Sequence, residues 1–101
     1  GLIKVRLFRP FPKEKLVEAL KDKKAVGVID RSVCFGWNCG HLLMELRAAL
    51  GANGSCAPTV NFIAGLANLD ITQEQIERAI EITLAKARGE SVQEVTWLSI
   101  E

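Results

Sequence analysis

A short, wholly apolar run constrains the fold of this chain more than any other feature of its sequence. Residues 25–29 read Ala-Val-Gly-Val-Ile and are followed by Asp30 and Arg31. An uninterrupted apolar run of this length is typical of a strand covered on both faces, so we expect it at the centre of a parallel sheet. Two further strands are predicted, over residues 3–8, where apolar and basic side chains alternate, and over residues 59–64.

Helical patterns separate these strands. Apolar side chains recur at helical spacing over residues 13–21 and 42–50. A third helix is predicted from a capping box at Thr72 to Gly89, and residues 92–100 form an edge strand or an extended tail. The predicted apolar face of the third helix consists of Ile76, Ala79, Ile80, Thr83, Leu84 and Ala87. The alternation predicts an α/β fold, a three-layer α/β/α sandwich with a mostly parallel sheet.

The length and net charge of the chain limit the number of domains and the kinds of partner that we expect. The 101 residues fit a single domain, and 13 Lys and Arg against 12 Asp and Glu give no electrostatic reason to expect nucleic acid or an anionic membrane as a partner. No apolar run approaches the roughly 18 residues of a membrane-spanning helix. We therefore expect a soluble, cytoplasmic protein.

The charge is unevenly distributed along the chain. Residues 1–31 carry nine basic and four acidic side chains, whereas residues 32–101 carry four basic and eight acidic ones. Two interpretations remain open: a solvated surface with attraction between the two halves, or a docking face for a larger assembly.

Three cysteines, Cys34, Cys39 and Cys56, are an odd number and do not suggest a secreted disulfide framework. With His41 they could form a Cys3His metal site, which gives one alternative function, a small thiol- or metal-binding protein. Reduced cysteines packed as small apolar side chains are the other interpretation.

The segment after the apolar run is the richest in candidate chemistry, because ligands of α/β sheets bind at the carboxyl ends of the strands. Residues 36–40 precede a helix, whose amides can receive an anion. A second alternative is therefore a stand-alone anion- or phosphate-binding module, although the segment matches neither common nucleotide-binding glycine motif. Asp30 and Arg31 are candidates for an ion pair, functional or structural, or for an interface contact. His41 is expected to be a capping or surface histidine.

The order of several short blocks carries a family resemblance. Residues 6–12 read Arg-Leu-Phe-Arg-Pro-Phe-Pro, residues 28–32 read Val-Ile-Asp-Arg-Ser, and residues 62–66 and 70–72 read Phe-Ile-Ala-Gly-Leu and Asp-Ile-Thr. Together with Phe35-Gly36 and the helix over residues 46–50, these blocks resemble the 2-oxoacid:ferredoxin oxidoreductases. The best match is core domain II of the pyruvate:ferredoxin oxidoreductase alpha subunit, which is similar to the carboxy-terminal domain of transketolase.

The resemblance implies a role within an enzyme of anaerobic metabolism. Such holoenzymes decarboxylate 2-oxo acids oxidatively to acyl-CoA, using thiamine diphosphate, magnesium and iron–sulfur clusters, with ferredoxin and coenzyme A as partners. This domain would be noncatalytic, would bind no cofactor or metal itself, would be inactive in isolation, and would contact the other domains of the alpha subunit and its sister subunits. Candidate interface or domain-edge residues are Arg9, Asp30, Arg31, Gly36, Asn38 and Asp70.

The chain departs from the family pattern at two places. The family turn Gly-Leu-Gly-Gly-Arg-Asp is replaced by Gly-Leu-Ala-Asn-Leu-Asp over residues 65–70, which removes an arginine. Family members also have a strand, a glycine turn and a helix before the position of Gly1. The resemblance thus implies a domain without its first β-α unit, and we expect the isolated chain to self-associate through the apolar surface left exposed.

Overall fold

A computed structural model of the chain describes residues 1–6, 9–34, 36, 38–54, 57–65 and 70–98. In these ranges, helices and strands alternate along the chain. In order they are α1 (Lys13–Leu20), β1 (Val26–Asp30), α2 (His41–Ala52), β2 (Thr59–Ile63), α3 (Gln73–Ala87) and β3 (Val95–Trp97).

The three strands form one parallel sheet in the order β1-β2-β3. Val26 of β1 lies opposite Thr59 of β2, and Ile63 of β2 lies opposite Trp97 of β3. β3 confirms the prediction of an edge strand near the end of the chain. The parallel sheet with helices on both faces confirms the predicted α/β class.

The alternation of side chains along the strands divides the core in two. On one face, Val26 and Val28 pack against α1 and α2, with Leu43 and Leu46 among the buried residues. On the other face, Val60 and Phe62 of β2 and Ala64, the residue after it, pack in one cluster with Ala79 of α3. The sheet is therefore the middle layer of three.

The apolar run over residues 25–29 does not lie at the centre of the sheet as predicted. Its strand, β1, pairs with β2 alone among the described strands, and β2 is the central strand. The prediction was wrong because an uninterrupted apolar run reports what covers the two faces of a strand. Here α2 covers one face and α3 the other, whereas the number of neighbouring strands leaves no trace in the apolar pattern.

The strand predicted over residues 3–8 is also absent where the structure describes it. Residues 3–6 are irregular, Leu2 is 86% exposed and Ile3 is 46% exposed, while Leu7 and Phe8 lie outside the described residues. Alternating side chains favour a strand only where another backbone is available to bond its amides and carbonyls. None of the described strands pairs with this segment, although Val5 packs at the border of the core formed by α1 and α2.

The helices follow the predicted ranges closely. α1 ends one residue before the predicted limit, and α2 continues through Gly51 to Ala52. The capping box of α3 is confirmed: Gln75 donates its backbone N–H to Thr72 Oγ1 at 3.2 Å, and the Thr72 amide donates to Gln75 Oε1 at 3.1 Å. None of the helices in the described part of the chain is both long and apolar enough to cross a bilayer.

The predicted apolar face of α3 is only partly covered. Ala79 is buried, but Ile76, Ile80 and Leu84 are 42%, 54% and 53% exposed. These three residues, spaced four apart along one side of the helix, are called the α3 stripe below. Thr83, beside the stripe, lies so close to Gly27 of β1 that a Cβ atom at Gly27 would collide with its hydroxyl. The stripe therefore lies on the side of α3 that faces the open edge of β1.

Candidate functional site at the carboxyl edge of the sheet

Asp30, the last residue of β1, holds the start of α2. Its Oδ1 accepts a hydrogen bond from the Leu42 amide at 2.9 Å, and its Oδ2 accepts one from the Leu43 amide at 3.2 Å. The residue before α2 is Gly40, which has no side chain to cap the helix. The carboxylate therefore supplies from the sheet the acceptor and the negative charge that the amino end of a helix favours.

Asn61 joins Asp30 to the central strand. The side chain is fully buried; its Oδ1 accepts from the Gly40 amide at 2.7 Å, and its Nδ2 donates to Asp30 Oδ2 at 3.0 Å and to the Val28 carbonyl at 3.1 Å. A buried amide is stable only when its polar atoms are paired in this way. Asp30, Asn61 and the amides of Gly40, Leu42 and Leu43 are called the Asp30–Asn61 network below.

The Asp30–Asn61 network argues against the predicted anion site at the start of α2. Two of the first amides of α2 and the Gly40 amide before them are already bonded to side chains of the protein. An external phosphate at these amides would have to displace the Asp30 carboxylate and would meet its negative charge. The amides of Gly40, Leu42 and Leu43 are thus not available to a phosphate, which argues against the phosphate-binding alternative at this position.

Asp30 and Arg31 act on different partners. Arg31, directly after β1, donates from its Nη2 to the carbonyl of Gly65 at 3.2 Å. Gly65 has a φ of 73°, and a Cβ atom there would press against the Arg31 guanidinium. Arg31 therefore binds Gly65, shortly after β2, while Asp30 binds the start of α2.

The other predicted site residues lie apart from the network. Arg9 forms an exposed ion pair with Glu45 of α2 at 2.6 Å. The peptide bond between Arg9 and Pro10 is cis. Gly36, with a φ of 82°, Asn38 and Asp70 are exposed. The part of the 65–70 turn that departs from the family pattern, residues 66–69, lies outside the described residues.

Sequence reasoning missed Asn61, and it included Gly40 only as part of the predicted anion-binding segment 36–40. One signal was available: Asn61 is the only polar side chain in the last four residues of β2, Val-Asn-Phe-Ile, and a polar side chain in such a strand must find buried partners. Its partners lie 21 and 31 residues away, so spacing in the sequence does not identify them.

The cysteines and His41 do not form a ligand cluster in the described part of the chain. His41 Nδ1 lies 3.0 Å from Ser32 Oγ, the Cys34 amide donates to the Cys39 carbonyl at 2.8 Å, and Cys56 is outside the described residues. Partial burial and the neighbouring Cys34 thiol raise the pKa of the Cys39 thiol. Among the described residues, no group of three or more His, Cys, Asp or Glu could hold a metal ion.

The donor set of the described residues fits none of the cofactors that the resemblance implies for the parent enzyme. Magnesium needs gathered oxygen ligands and an iron–sulfur cluster needs several thiolates, and neither is found in these ranges. A diphosphate would need free amides, and those of Gly40, Leu42 and Leu43 are bonded to Asp30 and Asn61. No cofactor-dependent step is therefore assigned to this chain.

Comparison with known proteins identifies the family. The family model "Pyruvate:ferredoxin oxidoreductase core domain II" matches residues 1–76. The NADH-dependent phenylglyoxylate dehydrogenase subunit alpha of Aromatoleum evansii is 45% identical over 98% of this chain and 24% of its own length.

Two archaeal relatives extend the same match over the whole chain. The pyruvate synthase subunit PorA of Methanocaldococcus jannaschii is 39% identical, with 24% of its length covered. The ketoisovalerate oxidoreductase subunit VorA of Pyrococcus furiosus is 40% identical, with 26% of its length covered. The chain spans about a quarter of the length of these relatives. The match over three quarters of the sequence and the parallel α/β fold together show that the chain belongs to the family of the pyruvate:ferredoxin oxidoreductase core domain II.

Proposed function

We propose that residues 1–101 form one domain with a structural, subunit-contact role in the alpha subunit of a cytoplasmic 2-oxoacid:ferredoxin oxidoreductase. The family match and the relatives, which are named as subunits, support this assignment. The parent enzyme would decarboxylate a 2-oxo acid oxidatively to acyl-CoA, with thiamine diphosphate, magnesium and iron–sulfur clusters held elsewhere, and with ferredoxin and coenzyme A as its partners.

The Asp30–Asn61 network is the observation that carries the noncatalytic role. The carboxyl edge of a parallel sheet is where α/β proteins place their ligands. Here the buried carboxylate, the buried amide and the amides at the start of α2 are bonded to one another. The polar groups at this edge are thus used to fix a helix to the sheet.

The α3 stripe is the contact surface that this proposal assigns. Its three apolar side chains are each more than two fifths exposed, and Glu77 and Glu81 are exposed beside them. Three quarters of the length of the related subunits lies beyond the part that this chain matches. The occupant we propose is another part of the same alpha subunit, with an apolar surface bordered by Lys or Arg to complement the glutamates.

The contact role is tested in the assembled enzyme with Ile80→Glu in the alpha subunit. The matched control is Ala48→Glu, which places the same side chain at an exposed position of α2, on the other side of the sheet. We expect Ile80→Glu to lower the yield of assembled enzyme several-fold and Ala48→Glu to leave it unchanged. Turnover per assembled enzyme should be the same for both. Normal assembly of Ile80→Glu would refute the assigned surface.

The noncatalytic role is tested separately with the purified chain. Incubation with a 2-oxo acid, coenzyme A and a low-potential dye should give no reduction of the dye. Turnover by the chain alone would refute the noncatalytic role whatever the outcome at Ile80.

A further inference from the structure

Two cysteines outside the Asp30–Asn61 network lie close together at the two ends of a surface loop. The amide of Cys34 donates to the carbonyl of Cys39 at 2.8 Å, and both side chains are partly buried. Standard backbone dimensions and this single hydrogen bond place their Cα atoms at most about 6.7 Å apart. Disulfides join Cα atoms about 4.4–6.8 Å apart, so the backbone is already within range of a bridge.

The Cys34 thiol also affects the Cys39 thiol electrostatically. Burial raises the pKa of the Cys39 thiol most, the Cys34 thiol raises it further, and Asp30 and Glu94 add to this against the opposing charge of Arg47. Because the thiolate is the attacking species, a raised pKa makes exchange slow near neutral pH and faster in mild alkali.

The two described residues between the cysteines are exposed, whereas the residue after Cys39 is held in place. Gly36 and Asn38 are exposed, and a Cβ atom at Gly36 would meet nothing within 4 Å. Gly40, directly after Cys39, is held by Asn61. A bond between the two sulfur atoms would therefore close the loop without displacing the start of α2.

We infer that Cys34 and Cys39 form a redox modification site, which closes to an intramolecular disulfide by exchange with a low-molecular-weight disulfide such as oxidised glutathione. One cysteine thiolate attacks the small disulfide and releases one small thiol. The second thiolate attacks the resulting mixed disulfide and releases the other. The two cysteines lose two electrons in total, the small disulfide gains them, and the two protons go to the two released thiols. This inference does not depend on the proposed function.

The sequence offers a direct readout by peptide mass. Cleavage after Arg31 and Arg47 gives one tryptic peptide, residues 32–47, that contains both Cys34 and Cys39, while Cys56 falls in residues 48–78. After incubation of the folded chain with oxidised glutathione at mildly alkaline pH, peptide 32–47 should be lighter by two hydrogen atoms. Dithiothreitol should restore the original mass.

The control variant is Cys34→Ser, in which the same peptide should carry a single glutathione adduct at Cys39. Circular dichroism confirms that both proteins are folded during the reaction. The reaction is repeated in guanidinium chloride, where we expect the ratio of bridged to adduct-bearing peptide to fall several-fold because the folded loop no longer holds the cysteines together. Glutathione adducts on both cysteines of the folded chain, a link between peptides 32–47 and 48–78, or an equal ratio in the unfolded chain would each overturn the inference.

Discussion

Replacing Asp30 by asparagine tests whether the carboxylate holds α2 to the sheet. The asparagine keeps the shape of the side chain but has one acceptor oxygen in place of two. Asp30 accepts three hydrogen bonds, from the amides of Leu42 and Leu43 and from Asn61 Nδ2. In Asp30→Asn, the new NH2 group must face at least one of these donors.

The structure sets the size of the expected loss. An unpaired buried donor costs about 1–3 kcal/mol, and the lost attraction between the carboxylate and the amino end of α2 adds about 0.3–2 kcal/mol. We expect the free energy of unfolding of Asp30→Asn to fall by about 2–4 kcal/mol. With a urea dependence of about 2 kcal/mol per M, the middle of the range for small proteins, the unfolding midpoint should fall by roughly 1–2 M.

The assay is urea unfolding followed by circular dichroism, at two protein concentrations so that self-association is recognised. Asp70→Asn is the matched control, because it makes the same chemical change at an exposed carboxylate. The control should remain within about 0.5 kcal/mol of the parent chain. Equal midpoints for Asp30→Asn and Asp70→Asn would refute the assignment of the network as the anchor of α2.

Three further predictions concern Gly40, the α3 stripe and Cys39. Gly40→Ala should lower the free energy of unfolding by about 1–3 kcal/mol because its Cβ atom would collide with the Asp30 carboxylate. Gly51→Ala lies in α2 with open space around it and should raise the free energy of unfolding by about 0.4–1 kcal/mol. Urea unfolding compares the two variants. The isolated chain should self-associate through the α3 stripe at tens of micromolar, and light scattering should show Ile80→Glu shifted to monomer; a monomeric parent chain would contradict this. Because the pKa of Cys39 is raised, its alkylation by iodoacetamide should reach half its maximal rate at a higher pH than that of a cysteine in a short unstructured peptide, and equal profiles would argue against the described environment.

Local chemistry made part of this fold predictable from the sequence. The start of α3 depends on Thr72 and Gln75, three residues apart, so the capping box is visible in the sequence and is confirmed in the structure. The helices α1 and α2 are likewise marked by the spacing of their apolar residues. Such features need no knowledge of which segments meet in space.

The position of each strand and the Asp30–Asn61 network depend on distant contacts instead. The central strand is β2 rather than β1 because of pairing between segments more than 30 residues apart. Asp30 was a candidate site residue, but its role required Asn61 and the amides of α2, which no motif connects to it. Residues 3–6 are a further example: their alternating pattern predicted a strand, but none of the described strands pairs with them.

The side chains of Asp30 and Asn61 bind the backbone amides at the start of α2. The orientation of α2 therefore does not depend on the connection from Arg31 to Cys39. A change in the length of this connection should therefore leave the helix in place. A short epitope inserted beside the exposed Gly36 should accordingly leave the rest of the molecule undisturbed.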